Sequence, residues 1–443
     1  MGFSAKVCAE EKQTPPQEVI SSSTDARIMK LEDCLATALR QNTDILRARE
    51  EIRRANGVKV EVTAAALPKV TASAGGAREK QELANGISPF PLNQTYWTSG
   101  VKITQLIYAG GSVAAAMDMA ELTHQNAFAE LNKTIDRIIF AAKKDFYDVL
   151  LQRSMIQTQE ESVKLLEEEL DHQRKRFEAG TTTKFNVLRA EVELANARPK
   201  LIRARNNYRL AQVELAQLLA MDYGDMGRQE PPFEVVGELS FNPTQYSLEE
   251  AVETAVSSRP ELQAALRQIE IQKKEVDVSD AGYLPRISAF GGYDERSDRT
   301  SSNLKEETGG WSVGVQGSWD IFDGFLTKGK TDQAQAKLAT SVLTAEETRR
   351  NVDLETRQAF FKWQEAQELI VSQQKNVEQA TESLRLARAR FDAGVGTQLD
   401  VLAAQTALTE AKTNELQARY DYNLAVADLE RATAAPIKIS HES

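Results

Sequence analysis

RFEAGTTTKFNVL at Arg176–Leu188 returns 214 residues later as RFDAGVGTQLDVL at Arg390–Leu402. Two further pairs recur in the same order: ALPKVTASAGG around Pro68 with YLPRISAFGGY around Pro285, and YWTSGVKITQLIYAGG from Tyr96 with GWSVGVQGSWDIFDGF from Gly310. Solenoid repeats have periods of about 20–50 residues, so an offset this large indicates a duplicated half-molecule. The sequence therefore predicts an internal two-fold repeat.

The composition limits the classes of partner. The 443 residues are 41% hydrophobic and 27% charged, with a net charge of −11. No basic stripe is available to neutralise phosphates, which argues against a nucleic-acid partner. No run of about 18 apolar residues exists, so no transmembrane helix is predicted. An outer-membrane β-barrel is still compatible with the sequence, because the strands of such a barrel alternate only weakly in hydrophobicity.

The N-terminus and the two cysteines carry few signals. MGFSAKVCAEEKQTPP lacks the apolar core of a secretory signal, which favours a processed form or a protein that stays inside the cell. Cys8 could carry a lipid, but Val7 stands where a small residue normally precedes a lipidated cysteine, which favours an incidental Cys8. Cys34 lies on an amphipathic helix pattern and is predicted to be a small buried hydrophobe. Two cysteines give no disulfide framework.

Apolar periodicity, glycines and prolines predict a layout of five segments. These are an extended N-terminal arm at 1–29, a first repeat at 30–221, an equatorial linker at 222–246, a second repeat at 247–432 and a C-terminal tail at 433–443. Within the repeats the predicted elements are helices at 30–66 and 247–281, strand pairs within 69–108 and 286–322, long helices at 112–179 and 330–393, and helices at 184–220 and 398–432.

The strand predicted at 311–322 shows the clearest alternation. Trp311, Val313 and Val315 share one face with Trp319, and the residues between them are small or polar. Eight residues separate the two tryptophans, or about 26 Å along a strand. That length approaches the apolar band of about 25 Å on an outer-membrane barrel, with an aromatic residue at each rim. A soluble sheet with two buried tryptophans would give the same pattern.

The long helices are the other unusual feature. Residues 112–179 contain neither glycine nor proline and would span about 100 Å. A helix of this length needs neighbours along its whole length, as in a coiled coil. Gly180 and Gly394 stand where a left-handed C-cap is expected, so each half should hold a helical hairpin with a tight tip. Two shorter helices per half should stack end to end along the long one.

Both tips also carry helix-start signals. Thr397 and Asp400 have the spacing of a capping box, and Thr183 with Asn186 is a weaker version. The strands would then lie at one end of a rod and the tips at the other.

The duplication, the Leu-Pro pairs at Pro68 and Pro285, and the RFEAG and RFDAG tips resemble the TolC-type outer-membrane efflux proteins over about residues 30–432. The resemblance implies an α+β membrane protein and a homotrimer. Each chain would give four strands to a 12-stranded β-barrel, continued by a long α-helical coiled-coil barrel. It implies a passive exit duct of the bacterial outer membrane that reaches into the periplasm. The implied partners are outer-membrane lipid, a periplasmic adaptor and an inner-membrane pump.

The resemblance also implies site residues. Trp97, Trp311 and Trp319 would form the aromatic rims, and Pro68 and Pro285 would start the strands. In the family, carboxylates near the tip close the tunnel. Asp400 matches one such position, Ala403 stands where a second acid can occur, and Asn186 is the counterpart of Asp400 in the first half. Three Asp400 side chains would make a cation-favouring ring. Asp400 could equally serve only as a cap. The adaptor would touch the tips at Gly180, Thr183, Gly394 and Thr397.

No catalytic constellation, cofactor motif or metal site is predicted. The histidines within the long helix, His124 and His172, are too far apart to share a metal ion. No phosphate-binding or dinucleotide-binding glycine motif follows a strand. The leading interpretation is a non-enzymatic conduit for efflux or type I secretion. The alternative is a soluble coiled-coil scaffold, which the paired strands and the Trp311 face disfavour. The sequence does not identify the cargo.

Overall fold

The computed structural model describes residues 27–78, 95–221, 233–243, 245–297 and 304–434. The helices in these ranges are α1 Leu31–Gln41, α2 Thr43–Ala64, α3 Ser112–Glu178, α4 Lys184–Leu218, α5 Leu248–Ser258, α6 Pro260–Asp280, α7 Leu326–Asp392 and α8 Gln398–Thr433. The strands are β1 Arg27–Met29, β2 Lys69–Arg78, β3 Thr95–Ala109, β4 Phe233–Val235, β5 Arg286–Ser297 and β6 Glu307–Ser318. Cys8, most of the N-terminal arm, much of the linker and residues 435–443 lie outside the described residues.

Four strands form one antiparallel sheet in the order β2-β3-β5-β6. The two strands of each repeat are hairpin neighbours, and β3 pairs with β5 across the repeats, with Gly100 opposite Asp294. The register shifts between Leu106 and Tyr108, a bulge near the helical end of the sheet. The sheet therefore joins the two repeats in the middle, and β2 and β6 form its outer edges.

A second, small sheet was not predicted from the sequence. β1 pairs with β4 in parallel, with Arg27 opposite Phe233 and Met29 opposite Val235. The predicted arm at 1–29 therefore ends in a strand, and the predicted linker contains one. Met29, Phe233 and Val235 are each at most 2% exposed. Burial of these three side chains stabilises the two short strands. The strands were not predicted because three residues are too few to show an alternating pattern.

The helices predicted as continuous at 30–66 and 247–281 are each broken after one short helix. In the first repeat the break is at Asn42, whose side chain accepts a hydrogen bond from the Asp44 amide (2.9 Å) and donates one to the Leu218 carbonyl (2.9 Å). In the second repeat, Arg259 has an extended backbone and Pro260 begins α6. Proline favours the first position of a helix, so it marks a start and not an interior.

The two long helices organise the rod. α3 and α7 are each 67 residues long. α3 packs against α1 and α2 on one stretch and against α4 on another, and α7 packs in the same way against α5, α6 and α8. The short helices therefore stack end to end along the long ones, as predicted. α4 continues through Pro199, an interior proline that the sequence-based layout did not consider.

The last strand ends earlier than predicted. The predicted strand at 311–322 is instead β6, which ends at Ser318. The Trp319 indole N–H donates a hydrogen bond to the Tyr283 carbonyl oxygen at 3.0 Å. This bond holds Trp319 against the turn that precedes β5, where Pro285 has no N–H with which to extend the ladder.

The second long helix begins earlier than the predicted 330. The Asp323 carboxylate accepts hydrogen bonds from the amides of Leu326 (3.1 Å) and Thr327 (2.7 Å), which satisfies the first turn of α7. Gly329 lies inside the helix, where the sequence-based boundary had excluded it. One glycine costs about 1 kcal/mol of helix propensity, which the packing along α7 outweighs.

Alanine dominates the buried positions between helices. Ala142, Ala216, Ala255 and Ala432 are fully buried, and many others are nearly so. The largest core cluster joins α1, α3 and α4 with the small parallel sheet, around Phe146. Small side chains let helices approach closely, which suits long rods packed side by side. Cys34 is fully buried, as predicted. In the described ranges, no helix has the length and apolarity needed to cross a membrane.

Candidate functional site: the sheet faces and the helical tips

The four-stranded sheet has one apolar face and one polar face. Register places Trp311 opposite Tyr293 and Val313 opposite Gly291, and residues directly opposite share a face. The apolar face carries Val70, Ala72, Val101, Ile103, Tyr293, Trp311, Val313 and Val315. The polar face carries Lys69, Thr71, Ser73, Lys102, Thr104, Asp294, Ser312 and Gln316. Trp311 is 78% exposed and Val313 72% exposed in the single chain. A contiguous exposed apolar face of this kind needs a covering medium.

An aromatic side chain also lies on the polar face. The Lys102 ammonium sits 5.3 Å from the centre of the Phe290 ring. The ring lies against Gly314, where an added Cβ would come within 2.8 Å of it. Phe290 therefore lies across Gly314 on the polar face, beside Lys102.

The three candidate rim tryptophans fall at different heights. Trp97 lies near the loop end of β3, and its indole N–H donates to the Leu304 carbonyl (3.0 Å). Trp311 is inside β6, and Trp319 follows the strand. Trp97 is half-buried and Trp319 is exposed, and indoles that combine one polar hydrogen bond with a partly exposed ring are typical of membrane interfaces. Both hydrogen bonds are to backbone carbonyls, which fixes Trp97 and Trp319 at opposite ends of the sheet.

Both outer strands of the sheet are exposed edges. Every residue of β2 is exposed, and in β6 all but Gly314 are. An edge strand presents a row of backbone N–H and C=O groups, and within the described residues no other strand pairs with these two edges. In lipid such groups cost several kcal/mol each, about as much as any unsatisfied buried hydrogen-bonding group. A membrane position for this sheet therefore requires partner strands at β2 and β6.

Pro68 and Pro285 occupy equivalent positions, each directly before a strand. Pro68 separates the end of α2 from β2, and Pro285 separates a single 3₁₀ turn at Ala281–Tyr283 from β5. Proline fixes φ and disfavours helix in the preceding residue, so each stops the incoming helix. The two positions are related by the internal repeat.

Both tip glycines have left-handed backbones. Gly180 has φ +72° and Gly394 has φ +77°. In the first tip the Gly180 amide donates to the Phe177 carbonyl (2.9 Å) and the Thr181 amide to the Arg176 carbonyl (2.8 Å). The second tip repeats both bonds, from Gly394 to Phe391 and from Val395 to Arg390. These paired bonds define a Schellman C-cap and end α3 and α7 in the same way.

The two tips start their next helices differently. Thr397 and Asp400 form the predicted capping box at the start of α8. Thr183 makes no side-chain cap bond at the start of α4, so the weaker box predicted there is wrong. The Asn186 side-chain amide instead donates to the Thr182 hydroxyl (2.9 Å). Asn186 and Asp400 thus occupy equivalent positions but make different local contacts.

Asp400 lines an open groove between α7 and α8. The groove is about 940 Å³ and includes Glu378, Glu382, Arg390 and Ala403. The backbone hydrogen bond from Thr397, and then the bond from its side chain, lowers the pKa of Asp400, which is exposed to solvent. The carboxylate is therefore ionised at neutral pH. Ala403 stands one turn further along and adds no charge.

A buried polar contact between the two tips has no counterpart among the sequence-based predictions. Gln398, 4% exposed, donates to the Glu169 carboxylate and to the Asn186 carbonyl, each at 3.3 Å. Gln173, fully buried, donates to the same Glu169 oxygen at 2.7 Å. Arg176 of the first tip also lies over the Phe391 ring of the second, 4.9 Å from its centre. The tips are therefore bound to one another within one chain.

Comparison with known proteins gives a consistent result. The family model described as outer membrane efflux protein matches residues 34–221 and 251–435, one stretch per repeat. The outer membrane protein TolC of Vibrio cholerae is 22% identical over 371 residues, which are 83% of this chain and 82% of that protein. The alkaline protease secretion protein AprF of Pseudomonas aeruginosa is 25% identical over 284 residues, 63% of this chain and 58% of AprF.

Solved structures share the fold. The CmeC outer membrane channel of Campylobacter jejuni superposes with a TM-score of 0.80 at 17% identity, over 91% of this chain and 85% of that one. The outer membrane protein VceC of Vibrio cholerae gives 0.77 at 18% identity, over 91% and 95%. The resemblance to the family is thereby confirmed, as is the predicted combination of barrel strands with a long helical tunnel. The chain belongs to the outer membrane efflux protein family, and it is an exit duct for efflux or secretion in the bacterial outer membrane.

Proposed function

We propose that three copies of the chain close their sheets into one 12-stranded barrel in the outer membrane. The observation that carries this proposal is the pair of exposed edges at β2 and β6. Joining β6 of one copy to β2 of the next satisfies both edges, and three copies complete the ring. The apolar face around Trp311 and Val313 then meets lipid, and the polar face around Lys102 lines the lumen.

The helices continue the barrel as a tunnel through the periplasm. α4 leaves Phe185 66% exposed and Ile202 67% exposed, and α7 leaves Leu343 63% and Phe361 56% exposed. Single exposed apolar residues are ordinary on a protein surface. Rows of them along α4 and α7 favour burial against neighbouring helices. Packing of three copies side by side supplies those neighbours.

The duct is passive and is not an enzyme. Membership of the outer membrane efflux protein family supports this part of the proposal. The chain works without a cofactor. Energy for export comes from an inner-membrane pump, linked to the duct by a periplasmic adaptor.

The periplasmic aperture is formed by Asp400, with Asn186 as its uncharged counterpart. Asp400 is exposed, ionised and close to the end of the rod. Three such carboxylates around one axis make a ring that favours cations. Capping and ring formation are compatible, because a capped carboxylate keeps one oxygen free for solvent and ions. In the structure Asp400 Oδ2 takes the cap bond.

The adaptor docks on the two tips. Gly180, Thr183, Gly394 and Thr397 are all exposed, and the Schellman turns present them at the end of the rod in equivalent positions. A repeated surface of this kind offers two similar contacts per chain, and six per trimer. The adaptor would therefore need to contact two related surfaces.

Conductance in a planar lipid bilayer tests the duct. Purified protein should be separated into a trimer fraction and a monomer fraction. Each fraction should then be added to a separate bilayer, at the same concentration of chains. Discrete single-channel steps from the trimer alone are expected, with cations preferred over anions. Steps from the monomer fraction, or none from a folded trimer, would contradict the proposal.

A further inference from the structure

The turn between β6 and α7 displays an unusual concentration of exposed apolar side chains. Ile321 is 85% exposed, Phe322 77%, Phe325 70% and Leu326 58%. The Phe322 and Phe325 rings meet edge to face at 5.6 Å. Water is an unfavourable medium for four large apolar side chains within six residues.

The backbone at Phe325 is strained. Phe325 has φ +69°, directly after Gly324, which also has φ +69°. An L-residue with a bulky side chain is disfavoured in the left-handed region. Such backbone strain persists only where other interactions compensate for it. The Phe325 side chain is therefore expected to contact something outside its own segment.

The internal repeat shows which residue the backbone alone would favour. Gly110 and Gly111, the counterparts of Gly324 and Phe325, have φ +64° and +84°. An added Cβ at Gly111 would meet nothing within 4 Å, so there is room for a side chain there too. The first repeat therefore uses glycine for this conformation, and the second replaces it with an exposed phenylalanine.

The turn is held firmly to the body of the protein. Asp323 accepts two backbone hydrogen bonds at the start of α7, as described above. Thr327, 7% exposed, packs on Gly282, where an added Cβ would lie 2.8 Å from its hydroxyl oxygen. The apolar side chains thus project from a fixed base, in a fixed direction, at the helical end of the sheet.

The surroundings match the boundary of a bilayer. Trp319, 59% exposed, continues the apolar face of β6 toward the turn, and Tyr283 beside it is 51% exposed. Lys328 and Lys330 follow in the first turns of α7 and are both exposed. Apolar and aromatic side chains followed by lysines are typical of segments that lie in the headgroup region, with lysine near lipid phosphates.

We propose that the turn Ile321–Leu326 is a lipid anchor, inserted at the acyl–headgroup boundary of the leaflet that faces the periplasm. Lys328 and Lys330 meet the phosphates of that leaflet. This anchor rests on the proposed membrane position of the sheet. It fixes the depth at which the bilayer ends along the duct, and burial of the Phe325 ring in lipid offsets the strain of its backbone.

A tryptophan placed in the turn tests the anchor. Phe325→Trp is reconstituted in vesicles of phosphatidylethanolamine and phosphatidylglycerol that contain phosphatidylcholine brominated on its acyl chains. The emission added by the new tryptophan should be lost to bromine quenching and be protected from aqueous acrylamide. Val395→Trp, at the exposed second tip, is the matched control, and its added emission should be quenched by acrylamide alone.

The outcomes separate the anchor from the duct. Quenching of the wild-type tryptophans by bromine, without quenching of the one at 325, would overturn the anchor and leave the barrel intact. Shielding from both quenchers would mean that a neighbouring copy covers the turn, which also overturns it. No bromine quenching in any variant would refute the membrane position itself.

A second variant protects the test from misfolding. Phe325→Gly suits the left-handed backbone and should fold at least as well as the wild type. In vesicles its unfolding midpoint in denaturant should nevertheless fall, because the lipid contact is lost. A midpoint that rises would show that Phe325 gains nothing from lipid.

Discussion

Thr397 and Asp400 hold each other at the tip of the second hairpin. The Asp400 carboxylate accepts from the Thr397 amide at 3.0 Å, and the Thr397 hydroxyl accepts from the Asp400 amide at 3.2 Å. This pairing orients one carboxylate per chain at the end of the rod. It also means that a charge ring and a helix cap share a residue, so the two roles must be separated by choosing which partner to change.

Asp400→Asn should reduce cation selectivity while largely keeping the cap, because the amide oxygen can still accept from Thr397. Reversal potentials under a salt gradient measure the change. Thr397→Ala is the matched variant, since it breaks half of the capping box at a cost of about 1 kcal/mol and keeps the charge. If Thr397→Ala loses cation selectivity and Asp400→Asn keeps it, Asp400 acts only as a helix cap.

Gly394→Ala should destabilise the second tip by about 1 kcal/mol, because alanine is disfavoured at positive φ. An added Cβ there would meet nothing within 4 Å, so the cost is one of backbone conformation alone. Gly329→Ala is the control, also in open space but inside α7, and should stabilise by about 1 kcal/mol. The midpoint of thermal unfolding, followed by circular dichroism, should fall for Gly394→Ala and rise for Gly329→Ala. Shifts in the same direction would refute the assignment of Gly394 as a left-handed helix cap.

Val313→Arg should hinder insertion into lipid by about 2–4 kcal/mol if Val313 lies near the middle of the bilayer. Gln316→Arg, on the opposite face of β6, should be tolerated because it faces the lumen. The folded fraction recovered in vesicles, judged by heat-modifiable migration on gels, compares the two. Equal loss in both variants would contradict the two-faced sheet.

Asp145→Asn should stabilise the protein at pH 8 by about 1–2 kcal/mol, after allowance for partial exposure. Burial raises the pKa of Asp145 to about 6 from 3.8, and Glu214 and Asp148 add to this rise. The folded state therefore holds the proton more tightly, and stability is lost as pH rises from about 4 through about 6.

The control for Asp145 is an acid with the opposite shift. A hydrogen bond from Arg385 lowers the pKa of Glu382, so Glu382→Gln should bring no stabilisation at pH 8. Both variants should be compared by denaturant unfolding at pH 4 and pH 8. An Asp145→Asn gain that is the same at both pH values would show that the effect is packing and not charge.

The repeat made the architecture readable from sequence. One duplicated motif fixed the order of strands, long helices and tips, and Gly180 and Gly394 adopt the backbone predicted for them. The broken helices were missed although Asn42 and Pro260 are ordinary helix-start residues. The prediction followed the apolar periodicity, which continues over about 35 residues, and passed over these two local helix-start signals. In the structure the local signals are correct.

Other features depend on contacts far apart in the chain. The small parallel sheet joins Met29 to Val235, and the buried bond from Gln398 reaches Glu169 in the other repeat. No local pattern encodes such pairs. The failed cap at Thr183 is instead a local miss, because the Asn186 side chain donates to the Thr182 hydroxyl, only four residues away, and does not complete the box.

The mass of the protein extracted from membranes decides whether three chains form one barrel. A chain of 49.1 kDa should give a detergent-solubilised species of about 147 kDa of protein by light scattering, and it should need detergent to stay in solution. That result is expected if three open sheets close one barrel. A water-soluble monomer or dimer that never needs detergent would contradict the account, because the edges of β2 and β6 would then remain unpaired.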